Sequence, residues 1–223
     1  MYMTSPAKLK AHPVATVPLR QPRGRLPYCL QTGANLFREG DACSGLFEVE
    51  SGVFRLSRVT RGGSRYVVGF GFPGDILGYG PDQHHISDCD ALIAAKVISH
   101  RPRLLQSNDA EPEMQQVLFK GALRQVEAMQ EHCMMLSCKS ARDRIAAFLS
   151  FLGDRIGVPL GRHVVFELPM PREDIADYLG LTRETVSRSL TELRRAKLIE
   201  IKNIHQIILL RPQLPDALAG QRA

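Results

Sequence analysis

The sequence predicts an α+β chain: a β-rich N-terminal half, one long amphipathic helix, and a C-terminal helix-turn-helix followed by two strands. Three observations predict it. Glycines recur every few residues from Gly33 to Gly80, between short runs suited to strands, as in a small all-β unit with close turns. After Asn108 the period changes, and apolar residues recur every three or four positions, the spacing of a helix face. Residues 170–199 then hold two short helical patterns separated by Gly180, the layout of a helix-turn-helix. The expected division is a tail over 1–27, a β-roll over 28–110, a dimerisation helix over 111–137 and a winged helix-turn-helix over 138–223.

Residues 1–27 carry several prolines and basic side chains with little periodicity, and read as a mobile tail. Beyond them, L-F-E-V-E, V-F-R-L-S-R-V and R-Y-V-V-G-F-G-F are the clearest strands. Gly62-Gly63 between the last two marks a hairpin turn. Short strands with turns this close suggest a small barrel or roll.

Leu118, Ala122, Val126, Met129, Cys133 and Leu136 form the helical stripe, and no proline follows Pro112 in this segment. One helix is expected from about Pro112 to Ser137. Its stripe suits a parallel seam between two copies of the chain; on pattern alone it suits packing against the β unit as well. A second amphipathic helix is expected over Cys138 to Ile156, with Ile145, Ala146, Phe148, Leu149 and Leu152 inward. Residues 157–170 read as connecting strands, V-V-F-E-L being the clearest.

In the helix-turn-helix, Ile175, Ala176 and Leu179 give the first helix its apolar stripe. Pro171 suits its first turn, and Glu173 and Asp174 suit the positive end of the helix dipole. Gly180 permits a sharp turn, and Thr182 is a good N-cap for the second helix. Val186, Leu190 and Leu193 form the packing face of that helix. Arg183, Glu184, Ser187 and Arg188 lie near its N-terminal end on another face, the part of a recognition helix that reaches base edges. Arginine bonds guanine bidentately, glutamate accepts from the cytosine amino group, and serine meets several bases. The expected assignments are Arg188 to guanine, Glu184 to cytosine, Ser187 to a neighbouring base, and Arg183 to a base or a phosphate. Past this helix, L-I-E-I and I-I-L-L flank a bend at Lys202-Asn203 and suggest a two-stranded wing. Lys202 and His205 suit either phosphate contact or a solvated turn. The tail after Pro212 reads as unstructured or weakly helical.

Composition agrees. The 223 residues suffice for one large or two modest domains, and the net charge of +6 favours a polyanionic partner such as double-stranded DNA. There is no apolar run near the roughly 20 residues of a membrane span and no apolar core of a signal peptide, so a soluble cytoplasmic protein is the expectation. Five cysteines, Cys29, Cys43, Cys89, Cys133 and Cys138, have irregular spacing, which argues against a disulfide framework. Cys133 and Cys138 are the closest pair and the candidates for a redox role.

The run L-G-L-T-R-E-T-V-S-R resembles the recognition motif of the Crp/Fnr superfamily of bacterial transcription regulators. L-F-R-E-G-D, V-E-S-G-V-F-R-L and F-P-G-D-I-L-G are similar to its cyclic-nucleotide-binding roll, so the resemblance covers most of the chain. It implies pairing through the long helix, contact with RNA polymerase, and half-sites like T-T-G-A-T. It is closest to the FixK-type branch, which implies control of genes for low-oxygen respiration, denitrification or nitrogen fixation. Pro171 stands where many relatives have serine or threonine.

The residues themselves bear on the signal. Cyclic AMP needs an anion clamp, yet no arginine lies between Arg65 and Arg101, Lys96 is the one long basic side chain there, and Asp82, Asp88 and Asp90 oppose a phosphate. An iron–sulfur cluster needs four soft ligands, and the N-terminal region offers only the separated Cys29 and Cys43. His84, His85 and Cys89 have ligand chemistry without a fixed ligand spacing. No cofactor and no metal is therefore expected, with a haem-dependent gas sensor of the same superfamily as the alternative. A small-molecule-binding β-barrel protein or enzyme would need a convergent His/Glu set, and the strand runs contain almost no histidine.

Overall fold

The computed structural model describes residues 27–43, 45–80, 84–100, 112–203 and 205–210. The predicted tail over residues 1–27, apart from Pro27, and the segment after Pro212 lie outside the described residues. So does Arg101, one limit of the arginine-free stretch.

Among the described residues, eight strands build the N-terminal unit: β1 Tyr28–Leu30, β2 Asn35–Phe37, β3 Leu46–Ser51, β4 Phe54–Val59, β5 Arg65–Gly71, β6 Ile76–Leu77, β7 Asp88–Ala91 and β8 Ala95–His100. They form two antiparallel four-stranded sheets, ordered β1-β8-β3-β6 and β2-β7-β4-β5. Alternating side chains from both sheets meet in one core that includes Phe37, Phe47, Val49, Phe54, Cys89 and Val97. The predicted hairpin joins β4 to β5, with Val59 opposite Arg65 and Gly63 at φ 81.

Helix α1 spans Pro112–Ser137. Gly121 lets it lie directly on the roll, since a Cβ there would sit 2.3 Å from Ile76 Cγ1. Leu118 is turned toward the roll as well and packs with Leu46, Ile76 and Tyr79. This corrects its expected place in the exposed stripe. Met135 is also turned inward, whereas Phe119, Leu123, Val126 and Met129 point outward and are 66%, 52%, 52% and 63% exposed in the single chain.

Helix α2 spans Ala141–Ile156 and begins later than expected, because the Ser140 hydroxyl caps it by accepting from Asp143 N at 3.1 Å. Cys138–Ser140 form the short link between α1 and α2. Then follow β9 Val158–Leu160, β10 His163–Glu167, α3 Arg172–Leu179, α4 Arg183–Arg195, β11 Ile199–Ile201 and β12 Gln206–Leu209. The expected two-stranded wing is half of a four-stranded sheet, ordered β11-β12-β10-β9. Ile207 and Leu209 are buried against the helices, so pairing β12 with β10 continues one core rather than leaving a free ribbon. None of the helices among the described residues is long and apolar enough to cross a membrane.

Candidate nucleic-acid interface

The turn between α3 and α4 is built as the residues dictate. Gly180 adopts φ 62 and ψ 43, and its N–H returns to Ala176 O, joined by Leu181 N at 2.9 Å. This left-handed close satisfies carbonyls that the helix end would otherwise orphan. Pro171 stands one residue earlier than predicted: it is the N-cap of α3, with no side-chain cap bond, and its carbonyl accepts from Ile175 N at 3.3 Å. Its fixed φ presets the helix start without a hydroxyl.

Thr182 caps α4, its Oγ1 accepting from Thr185 N at 3.2 Å. Val186, Leu190 and Leu193 are buried against α2 and α3. That packing turns the opposite side of the helix to solvent, where Thr182, Arg183, Glu184 and Arg188 are exposed and Ser187 half-buried. Four hydrogen bonds arrange this face. Arg188 Nη2 donates to Thr185 Oγ1 at 3.3 Å, and that hydroxyl lies 2.9 Å from Thr182 Oγ1. Ser187 Oγ donates to Arg183 O and accepts from Arg172 Nη1, both at 3.0 Å. Arg172, the first residue of α3, therefore joins the face from the neighbouring helix. Sequence reasoning passed over it, although the glycine turn brings the start of α3 beside the second turn of α4. Arg194 and Arg195 add exposed charge in the last turn, where the helix dipole favours cations.

Lys197 follows α4 with φ 54, the one non-glycine residue at positive φ among the described residues. Such a conformation costs an L-residue about 1–2 kcal/mol. The exposed Lys197→Gly variant should gain roughly 1 kcal/mol after glycine's greater unfolded entropy is subtracted. Urea unfolding reads this as a higher midpoint; an unchanged or lower midpoint would contradict it.

The wing turn is held by Asn203 Oδ1, which accepts from His205 N and Gln206 N at 3.0 and 2.8 Å. Lys202 and His205 are exposed beside it.

Two domain families match the chain in the expected order: a cyclic nucleotide-binding domain over residues 29–92 and a Crp-like helix-turn-helix domain over 143–214. The nitrogen fixation regulation protein FixK of Bradyrhizobium diazoefficiens is 36% identical over 191 residues, covering 85% of this chain and 80% of that protein. The chain belongs to the Crp/Fnr superfamily of bacterial transcription regulators. FixK of Rhizobium meliloti is 32% identical over 223 residues, 99% of this chain and 100% of that one. The solved structure of FixK2 from Bradyrhizobium japonicum superposes with a TM-score of 0.74 at 26% identity, over 86% of this chain and 96% of that one. The FixK-like resemblance and the helix-turn-helix DNA-binding assignment hold.

In this Crp/Fnr chain a cavity of about 260 Å³ lies between the roll, α1 and α3, with Phe37, Leu56, Tyr79, Arg124, His132 and Tyr178 in its wall. Two guanidinium groups reach that wall, and both are engaged. Arg58 pairs with Glu39 at 2.8 Å, and Arg124 donates to Gly74 O at 2.8 Å. His132 stacks on Tyr178 at 3.7 Å and donates from Nε2 to Tyr178 O at 2.7 Å. Burial holds the His132 pKa below its ordinary value, so the neutral ring makes this bond. Elsewhere the roll separates the histidines and cysteine of the loop. His85 is buried and stacked on Phe37, while His84 is exposed. Cys89 is in the core, where desolvation pushes its thiol far up. Among the described residues no group of three or more His, Cys, Asp or Glu side chains is placed to hold a metal ion. Cys133 is exposed on α1, and the half-buried Cys138 sits in the link that follows it.

Proposed function

We propose that the protein is a cytoplasmic, homodimeric regulator that reads a palindromic DNA site, with T-T-G-A-T-like half-sites about one helical turn apart. The observation that carries the reading is the first two turns of α4, where Arg183, Glu184 and Arg188 stand exposed on a helix capped by Thr182 and Arg188 is bonded to Thr185. Arg188 bonds guanine and Glu184 accepts from the cytosine amino group, so one turn reads both members of a G·C pair. Ser187 contacts a neighbouring base from where Arg172 holds it, Arg183 serves a base or a phosphate, and Thr182 fixes the helix end against the backbone.

Pairing occurs through the outward face of α1. Phe119, Ala122, Val126, Met129, Cys133 and Leu136 alternate three and four residues apart, the heptad spacing of a two-stranded seam. Exposed apolar area this continuous marks an interaction surface. The protein controls genes for low-oxygen or nitrogen-oxide metabolism, with RNA polymerase as the partner at the promoter, a reading that follows the FixK-type resemblance; the two FixK relatives are themselves named as regulators of nitrogen fixation. The engaged guanidinium groups of the cavity and the scattered cysteines support activity without cyclic AMP or an iron–sulfur cluster.

Fluorescence anisotropy with a labelled inverted repeat and a scrambled duplex tests this reading at several salt concentrations. The inverted repeat should bind at least about 10³-fold more tightly, and affinity for both should fall as salt rises. Equal affinity for the two duplexes would overturn it.

A further inference from the structure

The reading head is tied to the roll by an ionic cluster that DNA recognition itself does not require. Asp174 of α3 has a side chain only 1% exposed and receives two arginines from the β4–β5 hairpin. Arg55 Nη1 reaches both of its oxygens, at 2.9 and 2.8 Å, and Arg65 Nη2 reaches Oδ1 at 2.7 Å. Each arginine then holds a second carboxylate: Arg55 binds Asp90 of β7 through Nε and Nη2, and Arg65 binds Asp177 of α3 at 3.1 Å. Arg155 of α2 and Asp75 of the roll form a further ion pair between the two units.

Apolar contact joins the same surfaces. Val53, Val67 and Phe72 of the roll share a core with α2, α3 and α4, and Phe70 packs edge-on against Tyr178 at 5.1 Å. Apolar attraction is non-directional and tolerates sliding. Arginine–carboxylate bonds fix both distance and angle. A buried carboxylate is costly, and apolar packing would stabilise the contact as well. What the charges add is a single orientation.

That orientation passes on to α4. Helix α4 packs on α2, α3 and β11, and its half-buried Ser187 is bonded to Arg172, two residues before Asp174. The chain linking the head to α1 is only Cys138–Ser140. In a dimer joined along α1, the angle of each head on its roll therefore sets the separation and relative rotation of the two recognition helices. One extra base pair moves a half-site about 3.4 Å along the duplex and roughly 35° around it. A head held at one angle rejects that change, whereas a loosened head follows it.

We infer that the Arg55–Asp174–Arg65 cluster is a positioning device that selects the spacing between half-sites, an inference resting on the dimeric reading proposed above. It is tested with a pool of duplexes carrying two fixed half-sites separated by spacers of different length. The full chain is compared with Arg65→Ala, Arg65→Lys and Arg58→Ala. Arg58 is a roll arginine whose partner Glu39 also lies in the roll, so its loss leaves the cluster intact. The unaltered chain and Arg58→Ala should enrich one spacer about tenfold over its neighbours, a usual size for coupling between linked sites. Arg65→Ala should flatten the preference to within about threefold with the half-site bases unchanged, and Arg65→Lys should fall between. A spacer profile that stays sharp in Arg65→Ala overturns the inference, as does equal flattening in Arg58→Ala. An unaltered chain that enriches no paired half-sites overturns the dimeric reading and the inference together.

Discussion

A chain carrying Val126→Asp should sediment as a monomer and lose about 10²–10⁴-fold in affinity for an inverted repeat, the usual scale of avidity between two linked modules. Val126 is 52% exposed in the single chain, so the substitution opens no cavity in the protomer. Valine and aspartate have similar helix propensities, so α1 itself should persist. Across a two-fold seam, however, the two aspartates would face each other at close range, and each would lose its hydration. A dimer at working concentration with unchanged DNA affinity would show that the exposed stripe serves something else. Lys120→Asp is the companion control, because this exposed position sits beside the stripe and should leave both readouts nearly unchanged.

Arg188→Ala should cost about 1–3 kcal/mol on the preferred duplex and relax selectivity at one G·C pair in each half-site. Its guanidinium is exposed and bonded to Thr185 Oγ1 rather than to a carboxylate, so it can turn to a base edge without giving up an ion pair. Thr185→Val removes that hydroxyl while keeping side-chain volume and the backbone bond to the Thr182 cap. It should reduce the same selectivity by a smaller amount, about 0.5–1.5 kcal/mol, as expected for one neutral hydrogen bond. Binding measured across duplexes with each base replaced in turn separates the outcomes. A uniform loss over all duplexes would mark Arg188 as a phosphate contact instead.

Much of the fold was legible because local rules agree with the tertiary structure. The alternating runs became β3, β4 and β5, and Gly62-Gly63 lies in the turn joining the last two. The glycine after Leu179 and the threonine before Arg183 set the helix-turn-helix as capping chemistry requires. What escaped were features that depend on distant partners. Starting the α1 stripe at Leu118 instead of Phe119 misplaced its first residue alone, because both are apolar and only the roll decides which is covered. Asp174 read as a first-turn charge favoured by the helix dipole; nothing local to α3 discloses that Arg55 and Arg65 approach it. Pairing of β12 with β10 joins residues about forty positions apart, which a pattern of short alternating runs cannot specify. Arg172 was hidden for the same reason, since its partner Ser187 lies on the next helix.

The most direct measurement is sequencing of the duplexes that the full chain retains from a random pool at moderate ionic strength. The account predicts two inverted elements centred about one helical turn apart, each with a strongly selected G·C pair, and loss of selection at that pair with Arg188→Ala. Retention of duplexes without a shared element, or of one asymmetric element alone, would contradict it.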